Sequence, residues 1–434
     1  MLSGSPLGGG GQTATVCMNP IVHRQLSCGI ELAVEVLPAA RTAAAEFRFL
    51  VGMADEPADR LGLAQIVEHT LDKGTDRRDA RELADAFDRL GVRRSSGTGR
   101  QAMALRFYGL PEFFAPAVEL HAEMIRQPRF DDAQVAVAVE LARQDLAHLH
   151  DSPDELIAKL SSAQAYGQPL GRHPLGEPET LARIGPDDVR RFWTAHAAGG
   201  RMMVVAAGPI DPEALTDRLE GLFEGFGAAA SGGRETIPIR FVPSVAHHAK
   251  ALEQQQLSIV YPGVARSDPD FATERVLLGV LSGGMGARLF VEVREKQGLV
   301  YGVGASHQHV RGAGMIHLGA STTPGRVDQT YRTLLAEIAR LSEDLTDDEL
   351  ARAVTGICAR AETQADITRA RTAELADDLY HLGRPVPIPE KLASIRTVTI
   401  DDLVGYLRRH PRDALCVTTL GPRDAAEWIG RGQT

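Results

Sequence analysis

The sequence is poor in cysteine. Cys17, Cys28, Cys358 and Cys416 are scattered over 434 residues, and none stands in a Cys-x-x-Cys pair. That argues against a disulfide framework or a zinc knuckle and favours free thiols in a reducing compartment. No uncharged apolar run approaches the ~18 residues that a membrane-spanning helix needs, so no membrane partner is expected. The first residues carry no basic side chain and no apolar core segment, which argues against a signal peptide. Residues 1–15, rich in Gly and Ser, read as a disordered leader, and the expected location is cytoplasmic. Positive charge is also in deficit. With 47 basic against 57 acidic residues, the net charge is −10, so a polyanion would be repelled and no nucleic-acid partner is expected.

What is present is a soluble globular composition, 44% hydrophobic and 24% charged. The length exceeds one ordinary core and points to two or more domains. Ile30, Leu32, Val34 and Val36 alternate as a strand does, and so do Phe47, Phe49 and Val51. Helical spacing follows over residues 61–71, 81–90, 113–126, 131–150 and 210–223. Strand patterns lie at 103–107 and 202–207. After a stretch of small residues and prolines the pattern begins again, with a strand at 257–260, a helix at 271–281 and a long helix opening at Thr346. Leu382-Gly-Arg-Pro385 resembles Tyr166-Gly-Gln-Pro169. The offset of about 210–216 residues is too long for a solenoid repeat. It indicates two diverged copies of one α+β domain, 16–231 and 251–434, joined by a linker at 232–250. Two unrelated α+β domains are the plainer alternative.

The most informative run is Gly62-Leu-Ala-Gln65-Ile-Val-Glu68-His69-Thr-Leu-Asp-Lys73-Gly74-Thr75. Residues four apart share a helix face. Imidazoles at positions 65 and 69 would grip zinc, and the Glu beside the second would activate a bound water, as in His-x-x-Glu-His. Here the first position is Gln65, whose neutral amide is a poor zinc donor.

The surrounding residues resemble the pitrilysin/insulinase-type zinc peptidases. That family carries Gly-x-Ala-His-x-x-Glu-His followed by Lys-Gly-Thr, matched here at Gly62, Ala64, Glu68, His69, Lys73, Gly74 and Thr75. The approach from Val51 to Pro57 is similar to the family's lead-in. The resemblance implies a third ligand on a later helix. Asp145 is 76 residues beyond His69, at the place where the family has Glu. The implied metal positions are therefore Gln65, His69 and Asp145, with Glu68 at the catalytic-base position. Two substitutions at ligand positions make metal binding weak. His148, on the same helical face as Asp145, offers an alternative set of His69, Asp145 and His148.

A second run, from Arg288 through Phe290, Arg294 and Gly298 to Tyr301, is similar to the family's second-domain signature. The resemblance implies that Arg294 and Tyr301 position substrate and stabilise a tetrahedral intermediate, as a guanidinium and a phenol can. Where the family has an Asn before its substrate-binding edge strand, this chain has Arg94 or Ser95. Gly283-Gly-Met-Gly286 lacks the Lys-Ser/Thr of a phosphate loop and is a weak nucleotide signal. His307 and His309 alternate along a probable strand, which places both rings on one face.

The resemblance implies an α+β fold of two homologous domains, each an antiparallel sheet with helices on one face. Together they would form half of a clamshell. The expected function is that of a peptidase-family subunit, inactive alone, that supplies Arg294 and Tyr301 to a zinc-bearing partner in peptide hydrolysis. The expected partners are that homologous subunit or a second copy of this chain, with a peptide as substrate. No cofactor is expected beyond weak or residual zinc. Two alternatives stand beside this reading. One is an active metalloendopeptidase using Gln65, His69 and Asp145, with or without His148. The other is a non-catalytic peptide-binding scaffold.

Overall fold

A computed structural model describes residues 19–197, 199–226 and 236–429. The expected leader and the start of the expected linker lie outside the described residues. The first half runs β1 (Ile21–Gln25), β2 (Glu31–Val36), β3 (Ala43–Phe49), α1 (Leu63–Leu71), α2 (Ala80–Leu90), β4 (Arg93–Thr98), β5 (Met103–Gly109) and α3 (Phe114–Arg126). It continues with α4 (Asp132–Asp151), α5 (Pro153–Tyr166), α6 (Pro178–Leu181), α7 (Pro186–His196), β6 (Met202–Gly208) and α8 (Pro212–Leu222). The second half runs β7 (Ser244–Ala249), β8 (Gln255–Gly263), α9 (Phe271–Ser282), β9 (Val300–Val310), β10 (Ala313–Thr322) and α10 (Val327–Arg340). It ends with α11 (Asp347–Ala365), α12 (Thr368–Leu382), α13 (Ile388–Arg396), α14 (Ile400–Arg409) and β11 (Cys416–Gly421).

The strands form two sheets, ordered β1-β2-β6-β3-β5-β4 and β7-β11-β8-β10-β9. The α+β class and the two-sheet plan agree with the expectation. Two details differ. Each sheet is mixed, because β2 pairs parallel with β6 and β7 pairs parallel with β11. And β7 lies inside the stretch read as a linker: its Ser244–Ala249 pairs residue by residue with Cys416–Gly421, a partner too distant in sequence for a local pattern to show.

Local chemistry sets the helix ends. α2 opens on a capping box between Asp79 and Glu82 and closes on Gly91 at φ +62°. α11 opens on the same device, built from Thr346 and Glu349. α1 has no capping side chain of its own, since its N-cap is Gly62. Buried Glu56 replaces it, accepting the Ala64 N–H at 2.9 Å. Burial pushes the Glu56 carboxyl up to about 8, against the pull of the backbone N–H groups of Ala64 and Gly62.

Residues alternate between two cores across each sheet. On β2 and β6, Leu32, Val34, Met202, Val204 and Ala206 face the helices of their own half. The intervening Ala33, Met203 and Val205 pack on Leu375, Ala376, Leu379 and Tyr380 of α12. A period of two puts these sets on opposite faces. The second sheet repeats the arrangement. Leu257, Ile259, Tyr261, Ile316 and Leu318 face their own half. Val260, Met315 and Cys416 pack with Ala165 and Tyr166 of α5. Each half thus donates one helix to the other half's sheet, so helices cover both faces rather than one.

Both exchanged contacts include polar bonds. Arg371 of α12 is fully buried, and its Nε donates to buried Glu35 of β2 at 2.8 Å. In the other direction Ser161 and Ser258 hydroxyls meet at 2.7 Å, and the Thr418 hydroxyl donates to Gln164 Oε1 at 2.6 Å. Removing one member of a buried ion pair leaves the other charge uncompensated, at a cost of about 3–5 kcal/mol. Arg371→Ala is therefore expected to lose about that much stability in urea denaturation, with both halves unfolding in one transition. A loss under ~1 kcal/mol, the scale of an exposed pair, would show that the contact does not hold the halves together.

Candidate functional site

α1 carries the broken motif. Its buried face is Leu63, Ala64, Ile66, Val67 and Leu71. Glu68 is also buried, at 5% exposure, while Gln65 and His69 are half-buried. The Glu68 carboxylate lies 3.7 Å from His69 Nε2 and 3.5 Å from the Thr98 hydroxyl on edge strand β4. Gln65 Oε1 is buried and accepts no hydrogen bond. Gln65 therefore stands at the expected place on the helix, but with an amide where the chemistry calls for an imidazole.

α4 packs along α1, as a third ligand would require. Its inward residues are Val135, Ala138, Val139, Ala142, Leu146 and Leu149. Asp145 and His148 are both exposed, and neither bonds to His69. Among the described residues, no three His, Cys, Asp or Glu side chains are grouped so that they could hold a metal ion. The alternative set of His69, Asp145 and His148 is thus not assembled, because α4 turns its apolar stripe toward the core and leaves those two outside it. One imidazole, one amide and an exposed carboxylate one methylene shorter than Glu do not fit the three-ligand site that catalytic zinc requires.

The edge-strand substitution is tied to the same helix. Arg94 of β4 stacks over Phe87 at 4.1 Å and reaches Asp72, the C-cap of α1, at 3.8 Å. Ser95 is exposed on the strand.

The second signature folds as one unit. Residues Leu289–Glu295 form a π-helical turn, closed by Lys296 N–H to the Val291 carbonyl at 2.9 Å. Leu289 and Val293 are buried beneath it. Arg288, just before the turn, grips Glu349 with Nε and Nη2 at 2.7 and 2.8 Å and Asp344 with Nη1 at 2.6 Å. Such two-pronged pairs are the geometrically specific ones. They fix the turn to the start of α11. Its last residues then present Arg294, whose guanidinium lies 4.7 Å over Phe290 and 5.2 Å over Tyr301. The structure brings Arg294 and Tyr301 together. Tyr301 is 83% exposed at the head of edge strand β9, and an exposed aromatic held against a cation is a ready contact surface. Among the described residues, no hydrogen bond or ion pair joins this pair to Glu68 or His69.

Tyr301 also lines a cleft of about 830 Å³ between the halves, walled by Met53, Arg100, α5, β9 and β10. Sequence reasoning missed Arg100 and His317, which line this cleft, and Tyr166, which is buried between them. The Tyr166 hydroxyl is 3.0 Å from His317 Nε2, and Arg100 stacks on the Tyr166 ring at 4.1 Å. The Tyr166-Gly-Gln-Pro169 ending was the one local signal for this corner.

His307 and His309 share a face, with ring centroids 3.7 Å apart. Both are half-buried rather than on the open surface. His307 Nδ1 faces Glu274 at 3.1 Å, and His309 packs on Phe271 and His381. Burial raises the Glu274 carboxyl to about 7 and lowers His307 to about 3, so both shifts work against a charged pair.

Two family models match this chain. "Insulinase (Peptidase family M16)" covers residues 32–178, and "Peptidase M16 inactive domain" covers residues 183–357. The chain belongs to the pitrilysin/insulinase family of peptidases. A protein named an uncharacterized zinc protease from Rickettsia felis is 25% identical over 92% of this chain and 97% of its own length. One of the same description from Streptomyces coelicolor is 28% identical over 88% and 85%. Among solved structures, a peptidase M16 inactive domain from Pseudomonas fluorescens shares the fold with a TM-score of 0.86 at 20% identity, covering 94% of this chain and 98% of that one. A protease from Helicobacter pylori has the same TM-score at 15% identity, over 93% and 100%. Among the described residues, no helix of this family member is long and apolar enough to cross a membrane.

If the misfit at positions 65 and 145 is what excludes zinc, restoring both should recover it. Gln65→His with Asp145→Glu is expected to raise zinc affinity by at least about 100-fold in a chelator-competition titration, beyond the ~10–100-fold that an outer-shell partner contributes. An unmodified chain that already binds as tightly as the double variant would overturn this account of the site.

Proposed function

We propose that this chain is the non-metallated subunit of a two-chain peptidase and supplies Arg294 and Tyr301 to the active site of a homologous partner with an intact His-x-x-Glu-His motif. The observation that carries the reading is an asymmetry of preservation. The metal side has an amide at Gln65 and an exposed Asp145, while Arg294 and Tyr301 remain stacked and presented on a clamped π-turn.

The chemistry of this chain's part is binding and electrostatics. A peptide lies against the exposed face of Tyr301. The Arg294 guanidinium and the Tyr301 hydroxyl donate hydrogen bonds to the carbonyl oxygen as it gains negative charge. Such preorganised donors act on the transition state more than on the ground state. The nucleophile comes from the partner. Cys28, Cys358 and Cys416 are free and buried, which suits work in a reducing, cytoplasmic compartment.

The test is peptide hydrolysis by this chain alone, by its zinc-motif homologue alone and by the two together. Only the mixture should turn over substrate well, and Arg294→Ala should lower its kcat about 100–1,000-fold, the scale of a lost oxyanion donor. Full, chelator-sensitive activity of this chain alone would refute the reading. Turnover of the mixture unchanged by Arg294→Ala would instead favour a peptide-binding scaffold.

A further inference from the structure

The cleft between the halves has a charge pattern that the broken motif and the Arg294–Tyr301 pair leave unexplained. Its fixed charges are Arg100, Lys159, Arg172 and a single acid, Asp154. Lys159 is paired with Glu177 at 2.9 Å. Arg172 donates Nη1–H to the Met53 and Glu56 carbonyls and Nε–H to Gln168 Oε1, and it feels the nearby carboxylates of Glu56 and Asp55. Arg100 stands just after edge strand β4. It stacks on Tyr166, donates Nε–H to the Leu170 carbonyl at 3.0 Å and Nη2–H to the Ser162 hydroxyl at 2.7 Å. All of its acceptors are neutral, and among the described residues its Nη1 has none.

A partly buried guanidinium without a counter-ion is costly. Burial holds Arg100 below the usual arginine value. Two histidines of the same cleft, one from each half, sense the field. His173 is lowered to about 4 by burial, then by Lys159 and Arg100. His317 is lowered to about 4 by burial, then by Arg100 and His307. This positive pocket lies in a chain whose net charge is −10, so it is a local construction. Tyr301 lines the same cleft. A planar guanidinium fixed by stacking and two bonds, with one edge free, is suited to a carboxylate.

We propose that the cleft takes a peptide carboxylate against Arg100, so that the chain prefers peptides with an acidic side chain or a free C-terminus near the residue held by Tyr301. The proposal rests on the reading of the chain as a peptide-binding subunit and adds the class of peptide.

The test is fluorescence anisotropy of a rhodamine-labelled decapeptide on the full-length chain without its partner. Four versions cross a central Glu or Gln with a free or amidated C-terminus. The doubly neutral version is expected to bind at least about tenfold more weakly than the best acidic one. Loss on Glu→Gln assigns the pocket to side chains, and loss on amidation assigns it to the C-terminus. Arg100→Gln should abolish the preference. Should that variant fail to fold, NMR of the unmodified chain decides, because a bound carboxylate raises the titration midpoints of His173 and His317 and a neutral peptide does not. Equal affinity for all four peptides, unmoved histidines, or a preference that survives in folded Arg100→Gln overturns the proposal and leaves the subunit reading standing. Binding of no peptide at all overturns both.

Discussion

Each sheet of this protein has two faces to cover, and its own half supplies helices for only one. The remaining face is closed by a helix from the other half, α12 on the first sheet and α5 on the second. An exposed apolar sheet face is a strong liability in water, so the exchange ties the halves into one body. The buried Arg371–Glu35 pair adds registration to that contact. A charge buried at that depth tolerates little displacement of its partner.

The candidate site inherits its geometry from this arrangement. The exchanged α5 walls the cleft on one side, and β9 and β10 wall it on the other. Edge strands β4 and β9 occupy matching ends of the two sheets. One lies over the altered motif helix, through Thr98 and Arg94. The other carries Tyr301 at its head. The side-chain chemistry divides along the same line. On the β4 side the ligand chemistry is degraded. On the β9 side a buried Arg288 clamp still holds the turn that aims Arg294.

Much of this was legible in the sequence where periodicity or a dense motif spoke. The strand alternation around Leu32 and Phe47 and the helical spacing of α1 to α4 are local properties, and the structure bears them out. The Arg294–Tyr301 pairing followed from one continuous run. What escaped was tertiary. α5 carries Ser161 and Gln164 on the face it buries, because they bond to the opposite sheet, so its pattern is not that of an ordinary amphipathic helix. β7 and β11 find each other across most of the second half. His148 shares a helix face with Asp145 as spacing requires, but spacing cannot say which face turns to the core. Arg100 acquires its position only when a residue after β4 meets Tyr166 of the exchanged helix.

On the proposed division of labour, metal is held by another chain while the substrate grip stays on this one. The most direct measurement is zinc stoichiometry, by elemental analysis, of the purified complex between this chain and its His-x-x-Glu-His homologue. The account predicts one zinc per pair of chains, none of it remaining with this chain after the two are separated. Two zinc ions per pair, or zinc that stays with this chain on separation, would contradict it.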